Sequence, residues 1–271
     1  MFDFKKCHPI ESGDLVRIGN ENDGGYVLSE RQIERTDTLL SFGIKDNWKF
    51  EEDFSKRKKV KIYSYDYSTK NLPFLTKKFA KTYIAIAYNL FCLKLSRAKS
   101  YYKHFRLSEE FYRFFNEKEG RFFIPKFLGE YDDDKNTCFE TIFKELGNID
   151  DLSIFLKMDI EGGEFLCLPQ LIPYMNKING MAIEFHNLSI TKTKFEMVLD
   201  EISKKFYVSH VHGNNFKKFI DKTNIPSVLE MTFINKDLIT EKIVLSKRDY
   251  PLEGLDAPCK KYKEDYKLVF H

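Results

Sequence analysis

The sequence predicts an α/β fold: a Rossmann-like sheet with helices on both faces and a helical insertion, within a single domain spanning residues 1–271. Three patterns carry that prediction. Short apolar runs recur at 39–42, 59–66, 154–158, 181–186, 207–211 and 228–234, the length of buried strands. Segments with helical spacing fall between them, at 137–146, 166–175 and 194–206. Strand after strand ends in glycine, acid or histidine, and an open α/β sheet binds its ligands beyond the carboxyl ends of its strands.

Composition bounds the class. Hydrophobic residues at 42% and charged residues at 31% describe a soluble globular protein, and 271 residues can bury a sizeable core. A net charge of +3 is too weak over the whole chain to argue for nucleic acid. Cys7, Cys92, Cys138, Cys167 and Cys259 are scattered without a CxxC, which points to reduced thiols in a cytoplasm. The N-terminus lacks the apolar core of a signal peptide. The longest apolar-leaning stretch, 82–95, is broken by Asn89 and Lys94 and is too short for a transmembrane segment. The reading is a soluble, cytoplasmic protein.

Taken in order, Asn22-Asp23-Gly24-Gly25 between apolar pairs predicts a hairpin with a primed turn. Gly43 follows the run 39–42 and precedes helical spacing at Trp48, Phe50 and Phe54, the strand–loop–helix opening of a Rossmann-like fold. A single glycine there cannot make the GxGxxG that seats a pyrophosphate, which counts against NAD or FAD. Asp66 ends the next strand about twenty residues beyond Gly43, where Rossmann folds place a carboxylate for a ribose diol.

Residues 70–121 break the rhythm. Phe79, Tyr83, Ile86, Ala87, Leu90 and Phe91 have helical spacing, and a second helix passes Phe111, Tyr112, Phe114 and Phe115 after a cap at Ser108. Residues 70–126 hold 13 Lys and Arg against 4 Glu, so +9 there and −6 elsewhere. A packing subdomain with solvated charges explains this basic, aromatic insertion, and so does a lid or dimer surface attracting a phosphorylated substrate. A strand is predicted over 122–128. Asp132-Asp133-Asp134 contains DxD, a metal and nucleotide-sugar signature of glycosyltransferases, although a solvated acidic loop is the simpler account.

The run 154–158 stops at Asp159-Ile160-Glu161-Gly162-Gly163-Glu164, a buried strand turning sharply into a helix. Later strands end in Glu184/His186 and His212/Asn214. With Gly43, Asp66 and Asp132, these residues should line one crevice. There is no nucleophile turn, P-loop or zinc spacing, so acids and histidines suggest direct displacement with a positioned base or a divalent metal.

These pieces resemble S-adenosylmethionine-dependent methyltransferases of the FkbM-like kind, including those encoded with bacterial capsule and sugar-modification genes. The resemblance rests on Asn22-Asp23-Gly24-Gly25-Tyr26-Val27, Ser41-Phe42-Gly43 with Trp48-Phe50-Glu51, and Lys157-Met158-Asp159-Ile160-Glu161-Gly162-Gly163-Glu164. Glu184-Phe185-His186, His212-Gly213-Asn214-Asn215 and the tail from Tyr250-Pro251 to Leu255-Asp256-Ala257-Pro258 extend it. Motif I departs from the family, since Ser-Phe-Gly-Ile-Lys-Asp replaces a glycine-rich acidic loop.

The resemblance implies a seven-strand class I methyltransferase sheet. It places the cofactor S-adenosyl-L-methionine against Asp23, Gly24, Gly25, Ser41, Phe42, Gly43 and Asp159, with Asp66 on the ribose and Asp132 near the adenine. Catalysis would fall to Asp159, Glu184, His186 or His212, and substrate contacts to Glu161, Asn214 and Asn215. Asp159, Glu184 and His186 would suit Mg²⁺ or Mn²⁺ without requiring either. The implied reaction is O-methylation of a sugar hydroxyl, on a nucleotide-linked sugar or a capsular or surface polysaccharide sugar. An N-acceptor stays open, and the aromatic insertion suits a homodimer. The competing readings are a metal-dependent nucleotide-sugar transferase using Asp132–Asp134 and a non-catalytic Rossmann-like binding protein.

Overall fold

The computed structural model describes residues 4–71, 84, 86–89, 91, 92, 94–216 and 226–270. A hairpin opens it. Strand β1 (Leu15–Gly19) pairs antiparallel with β2 (Gly25–Ser29), from Leu15 opposite Ser29 to Gly19 opposite Gly25. The primed two-residue turn expected at Asn22–Gly25 is replaced by a longer loop, residues 20–24. Arg17 holds that loop in shape by donating from Nε to Asn20 O and from Nη2 to Asn22 O, each at 2.8 Å.

Helix α1 (Glu30–Arg35) follows at once, with the Ser29 N–H donating to Gln32 Oε1 at 3.0 Å. Then come β3 (Thr38–Phe42), α2 (Lys49–Arg57) and β4 (Lys61–Tyr65). The 70–121 segment supplies α3 (Leu95–Phe114). Ser108 therefore lies inside a helix rather than capping one, and its buried hydroxyl has no hydrogen-bond partner among the described residues. The first helix expected in this segment, through Phe79 and Phe91, lies largely outside the described residues.

The strand expected over 122–128 is two strands, β5 (Arg121–Ile124) and β6 (Phe127–Leu128). Pro125 falls between them, and proline offers no N–H to a ladder. Strand β7 (Asn136–Thr137) pairs with β6 apart from the main sheet. The chain continues through α4 (Phe139–Leu146), β8 (Ile154–Met158), α5 (Glu164–Leu171), β9 (Ile178–Phe185), α6 (Leu188–Ser203), β10 (Phe206–Gly213) and β11 (Leu229–Asn235).

The main sheet has seven strands in the order β10-β11-β9-β8-β3-β4-β5. Strand β11 runs antiparallel to both its neighbours, and the other pairings are parallel. This is the Rossmann-like α/β sheet that the sequence predicts. Strands β3, β8, β9 and β11 are buried along their whole length, as expected where both faces of a parallel sheet are covered.

Period-two alternation sorts the two faces. Leu40, Phe42, Leu156, Met158, Met181 and Ile183 pack into one core with Phe139 of α4, Phe165 of α5 and Phe195 of α6. Leu39, Ile62, Phe155 and Ala182 face the other way, against Tyr26 and Leu28 of the hairpin, Phe50 and Phe54 of α2, and Phe111 of α3. Trp48 meets Phe111 edge-on at 5.3 Å between ring centroids, which anchors α3 to that second core. Among the described residues no helix is long and apolar enough to cross a membrane.

Gly43 follows β3 with φ +80°, and its N–H donates to Tyr65 O at 3.0 Å. A Cβ built there would collide with the backbone carbonyl of Asp159. Gly43→Ala should therefore cost about 3 kcal/mol or more through backbone strain and collision. Denaturant unfolding checks this, and a variant within experimental error of the parent would contradict it.

Candidate functional site

Order reverses between β3 and β8: the chain passes from β3 to β4 and β5 on one side and to β8 and β9 on the other. The loops beyond that switch point part, and this is where open α/β sheets place ligands. Here the Asp159 N–H donates to Phe42 O at 3.0 Å, so the loops after the two strands start in contact. A cavity of about 590 Å³ opens beside them. It is lined by Asp23 and Gly24 of the hairpin loop, Gly43, Glu51, Asp66, Asp159 and Glu161, with an apolar wall from Phe127 and Leu128.

Strand register builds a polar row behind this cavity. Ser41 stands opposite Lys157, Lys157 opposite Ala182, Glu184 opposite Glu230, and Glu230 opposite His212. All lie on the face that carries Leu39, Phe155 and Ala182, where the hairpin covers the sheet. The Ser41 hydroxyl donates to the buried carboxylate of Glu51. Glu51 Oε2 has no partner among the described residues, and burial pushes its pKa up. Lys157 Nζ donates to Gly43 O at 2.9 Å and lies 3.9 Å from Asp159 Oδ2.

His186 is aimed by its neighbours. Its Nδ1 bonds Glu164 Oε1 at 2.9 Å, and its Nε2 faces Asp159 Oδ1 at 3.8 Å, Glu184 Oε1 at 3.9 Å and Glu161 Oε2 at 3.7 Å. Burial opposes its charge, but the Glu164 hydrogen bond and the surrounding carboxylates outweigh it and raise its pKa. Burial raises Asp159, with Lys157 and His186 pulling the other way. It raises Glu184 strongly, reinforced by the charges of Asp159 and Glu230. Asp23 is pushed up to about 6 by burial and by Glu230 and Asp159.

The expected site residues divide into groups. Gly43, Asp66, Asp159, Glu161, Asp23 and Gly24 come together in the cavity wall, and Glu184 and His186 lie against it through Asp159. Asn214 donates to Glu184 Oε1 at 2.7 Å and so orients that acid. Asp66 is committed in part to its own loop. Its Oδ1 accepts from the backbone and hydroxyl of Ser68 and from the Thr69 N–H, and its Oδ2 accepts from the Lys45 N–H at 2.7 Å.

Other expected positions fall outside the lining. Ser41 meets Glu51, Phe42 is buried against Tyr65 and Phe139, and Gly25 lies in β2. Asp132 turns back to its own loop, accepting from the Thr141 hydroxyl and the Cys138 N–H, and does not line the cavity, as Phe127 and Leu128 do. Asp133 likewise accepts from the Lys135 and Asn136 N–H groups. Asn215 is buried as a clasp for the tail, donating to Lys260, Lys263 and Glu264 carbonyls.

His212 is not free to act as a base either. Its Nδ1 lies 2.8 Å from Glu230 Oε2 and its Nε2 2.9 Å from Asp265 Oδ2. Sequence reasoning gave no role to Tyr26, Glu51, Lys157, Glu164 and Glu230. A lysine within the apolar run 154–158 was the one local signal among them; the others depend on pairing between distant segments.

No family profile matches the sequence, and no curated protein matches it. Solved structures of similar layout include two proteins of Methanococcus jannaschii. The fibrillarin pre-rRNA processing protein of Methanococcus jannaschii is 11% identical over 84% of this chain and 87% of its own, at a TM-score of 0.37. The M. jannaschii TYW2, solved in complex with AdoMet, is 11% identical over 83% of this chain and 89% of its own, at 0.30. At such values neither likeness assigns an activity, and the fold class rests on the strand order itself.

The His212 cluster gives a pH test. Burial opposes its charge, yet Glu230 and Asp265 hold its folded pKa well above the ordinary 6.5. A raised pKa means the folded state holds the proton more tightly. The stabilisation is therefore complete below about pH 6.5 and is lost as pH rises through the folded value. His212→Asn should cost about 3 kcal/mol at pH 6, with the gap to the parent narrowing toward alkaline pH. Chemical denaturation of both proteins across that range checks it; an equal gap at every pH would contradict it.

Proposed function

We propose that the chain is an S-adenosylmethionine-dependent methyltransferase, of the FkbM-like kind its motifs resemble, acting on a hydroxyl of a sugar or nucleotide-linked sugar. The observation that carries this reading is the cavity at the switch point, with acids along one wall and an apolar wall at Phe127 and Leu128. Its volume suits a nucleoside-sized ligand. Carboxylates of Asp23, Glu51 and Asp159 match a cationic ligand, and the orphaned Glu51 oxygen lacks the partner that such a ligand provides. Asp66 Oδ2 accepts a single protein hydrogen bond, which leaves it capacity for a ribose hydroxyl.

Bound there, the sulfonium would supply an electrophilic methyl group. The chain's own task is to align the acceptor and take its proton. Asp159 is the member of the Asp159–Glu184–His186 cluster that lines the cavity, so its carboxylate is within reach of an acceptor bound there. Glu184 and His186 flank it and fix its surroundings. The hairpin loop and the apolar wall limit water at the reacting groups.

The basic segment supports a phosphorylated acceptor, with Lys94, Lys99 and Lys103 exposed along it. Ile84, Tyr88, Phe91 and Leu95 are also exposed at helical spacing, which suits a second copy of the chain. The nucleotide-sugar transferase reading is weakened by the local hydrogen bonds that occupy Asp132 and Asp133.

Calorimetric titration with S-adenosylhomocysteine should give micromolar binding, weakened about tenfold or more in Asp66→Ala; absence of binding would remove the reading. Asp159→Asn should retain that binding while methyl transfer falls about 100-fold or more. Undiminished transfer would rule Asp159 out as the proton acceptor. Charge reversal at Lys94, Lys99 and Lys103 should raise KM for a nucleotide-linked sugar but not for the free sugar, and equal KM values would discard the phosphorylated acceptor.

A further inference from the structure

We propose that Asp159, Glu184 and His186 form a binding site for one divalent cation of the Mg²⁺/Mn²⁺ class. One ligand atom from each of the three residues lies within 4.8 Å of the others. The distances from His186 Nε2, 3.8 Å to Asp159 and 3.9 Å to Glu184, are too long for hydrogen bonds. Two donors on one ion at bonds of about 2.1 Å lie about 3 to 4.2 Å apart, a range that contains both separations.

The surroundings are built for that ion. The Glu164 carboxylate, fully buried, holds His186 Nδ1 and turns Nε2 toward the acids. A carboxylate behind a metal-binding imidazole is the usual supporting contact, because it fixes the ring and its tautomer. Asn214 does the same for Glu184.

A second, independent sign is the Tyr26 hydroxyl. Tyr26 is 3% exposed, its hydroxyl has no hydrogen-bond partner among the described residues, and the charges acting on it are those of Asp159, Glu184, Glu230 and Asp23. A buried hydroxyl without a partner costs about 1–3 kcal/mol. Tyr26 belongs to the hairpin that covers the face of the sheet carrying Ala182 and Glu184, and water on a cation at the cluster is a partner for it.

Charge agrees with geometry. Glu184 stands opposite Glu230 on the neighbouring strand, and Asp159 and Glu184 both face His186 Nε2, so a cation at this point would relieve the repulsion among these carboxylates. Oxygen donors with one imidazole suit Mg²⁺ or Mn²⁺, and the nitrogen favours Mn²⁺. A second triad, His212, Glu230 and Cys259, has similar spacing. Its donors already hydrogen-bond one another, however, and burial raises the Cys259 thiol far above the thiolate range.

The test is Mn²⁺ titration of the metal-stripped full chain, followed by calorimetry and by electron paramagnetic resonance, without any other ligand. It is thus independent of the proposed cofactor. The expected result is one Mn²⁺ per chain, with affinity falling about tenfold or more in Glu184→Gln and in His186→Ala. Glu184→Gln removes a buried charge of like sign to its neighbours and should stay folded, which circular dichroism checks. The control is Asp133→Asn in the acidic loop, expected to bind as the parent does. No bound Mn²⁺ in the parent, or affinity unchanged in either cluster variant, would overturn the site.

Discussion

The constraint on which this structure depends is the burial of several carboxylates on one face of the main sheet. Glu184 and Glu230 are direct cross-strand partners on antiparallel strands, and like charges at such positions repel. Asp159 and Asp23 add to the same field. Lys157 and His212 are the positive groups set against them. The cluster persists because each acid is gripped by a neighbour: Asp159 by its loop against β3, Glu184 by Asn214, and Glu230 by His212 and the Cys259 thiol.

Two distant parts of the chain are needed to roof that row. Arg17 Nη1 of the hairpin reaches Leu255 O at 3.1 Å, and Asn22 Nδ2 donates to Pro258 O at 2.8 Å. His210 meets Asp256 at 3.0 Å, and Asn215 clasps residues 260–264. The hairpin loop that brings Asp23 to the cavity is therefore positioned by the C-terminal tail. The irregular tail accordingly carries buried residues: Tyr250 meets the His210 ring and the Cys259 thiol donates to Glu230.

Much of the fold is legible in the sequence because buried parallel strands read as continuous apolar runs. Residues 154–158 were delimited as they stand, while β9 begins earlier than 181 because Ile178, Asn179 and Gly180 are as buried as the rest of the strand. Ser108 misled because a capping residue and an internal helical serine look alike in sequence. The candidate site was half legible. Gly43, Asp66 and Asp159 could be placed because each ends a strand. The polar row could not, since it exists only in the register between strands, which for Ser41 and Lys157 joins segments more than a hundred residues apart. Tyr26 and Glu164 were visible within motifs, but their roles depend on what lies across from them.

The most direct test of the claim that the cavity and the buried row form one site is anomalous diffraction from crystals grown with Mn²⁺ and S-adenosylhomocysteine. The account predicts a single manganese peak among Asp159, Glu184 and His186, with the nucleoside in the adjoining cavity between Gly43 and Asp66. A cluster holding only water, with the ligand bound elsewhere on the surface, would contradict it.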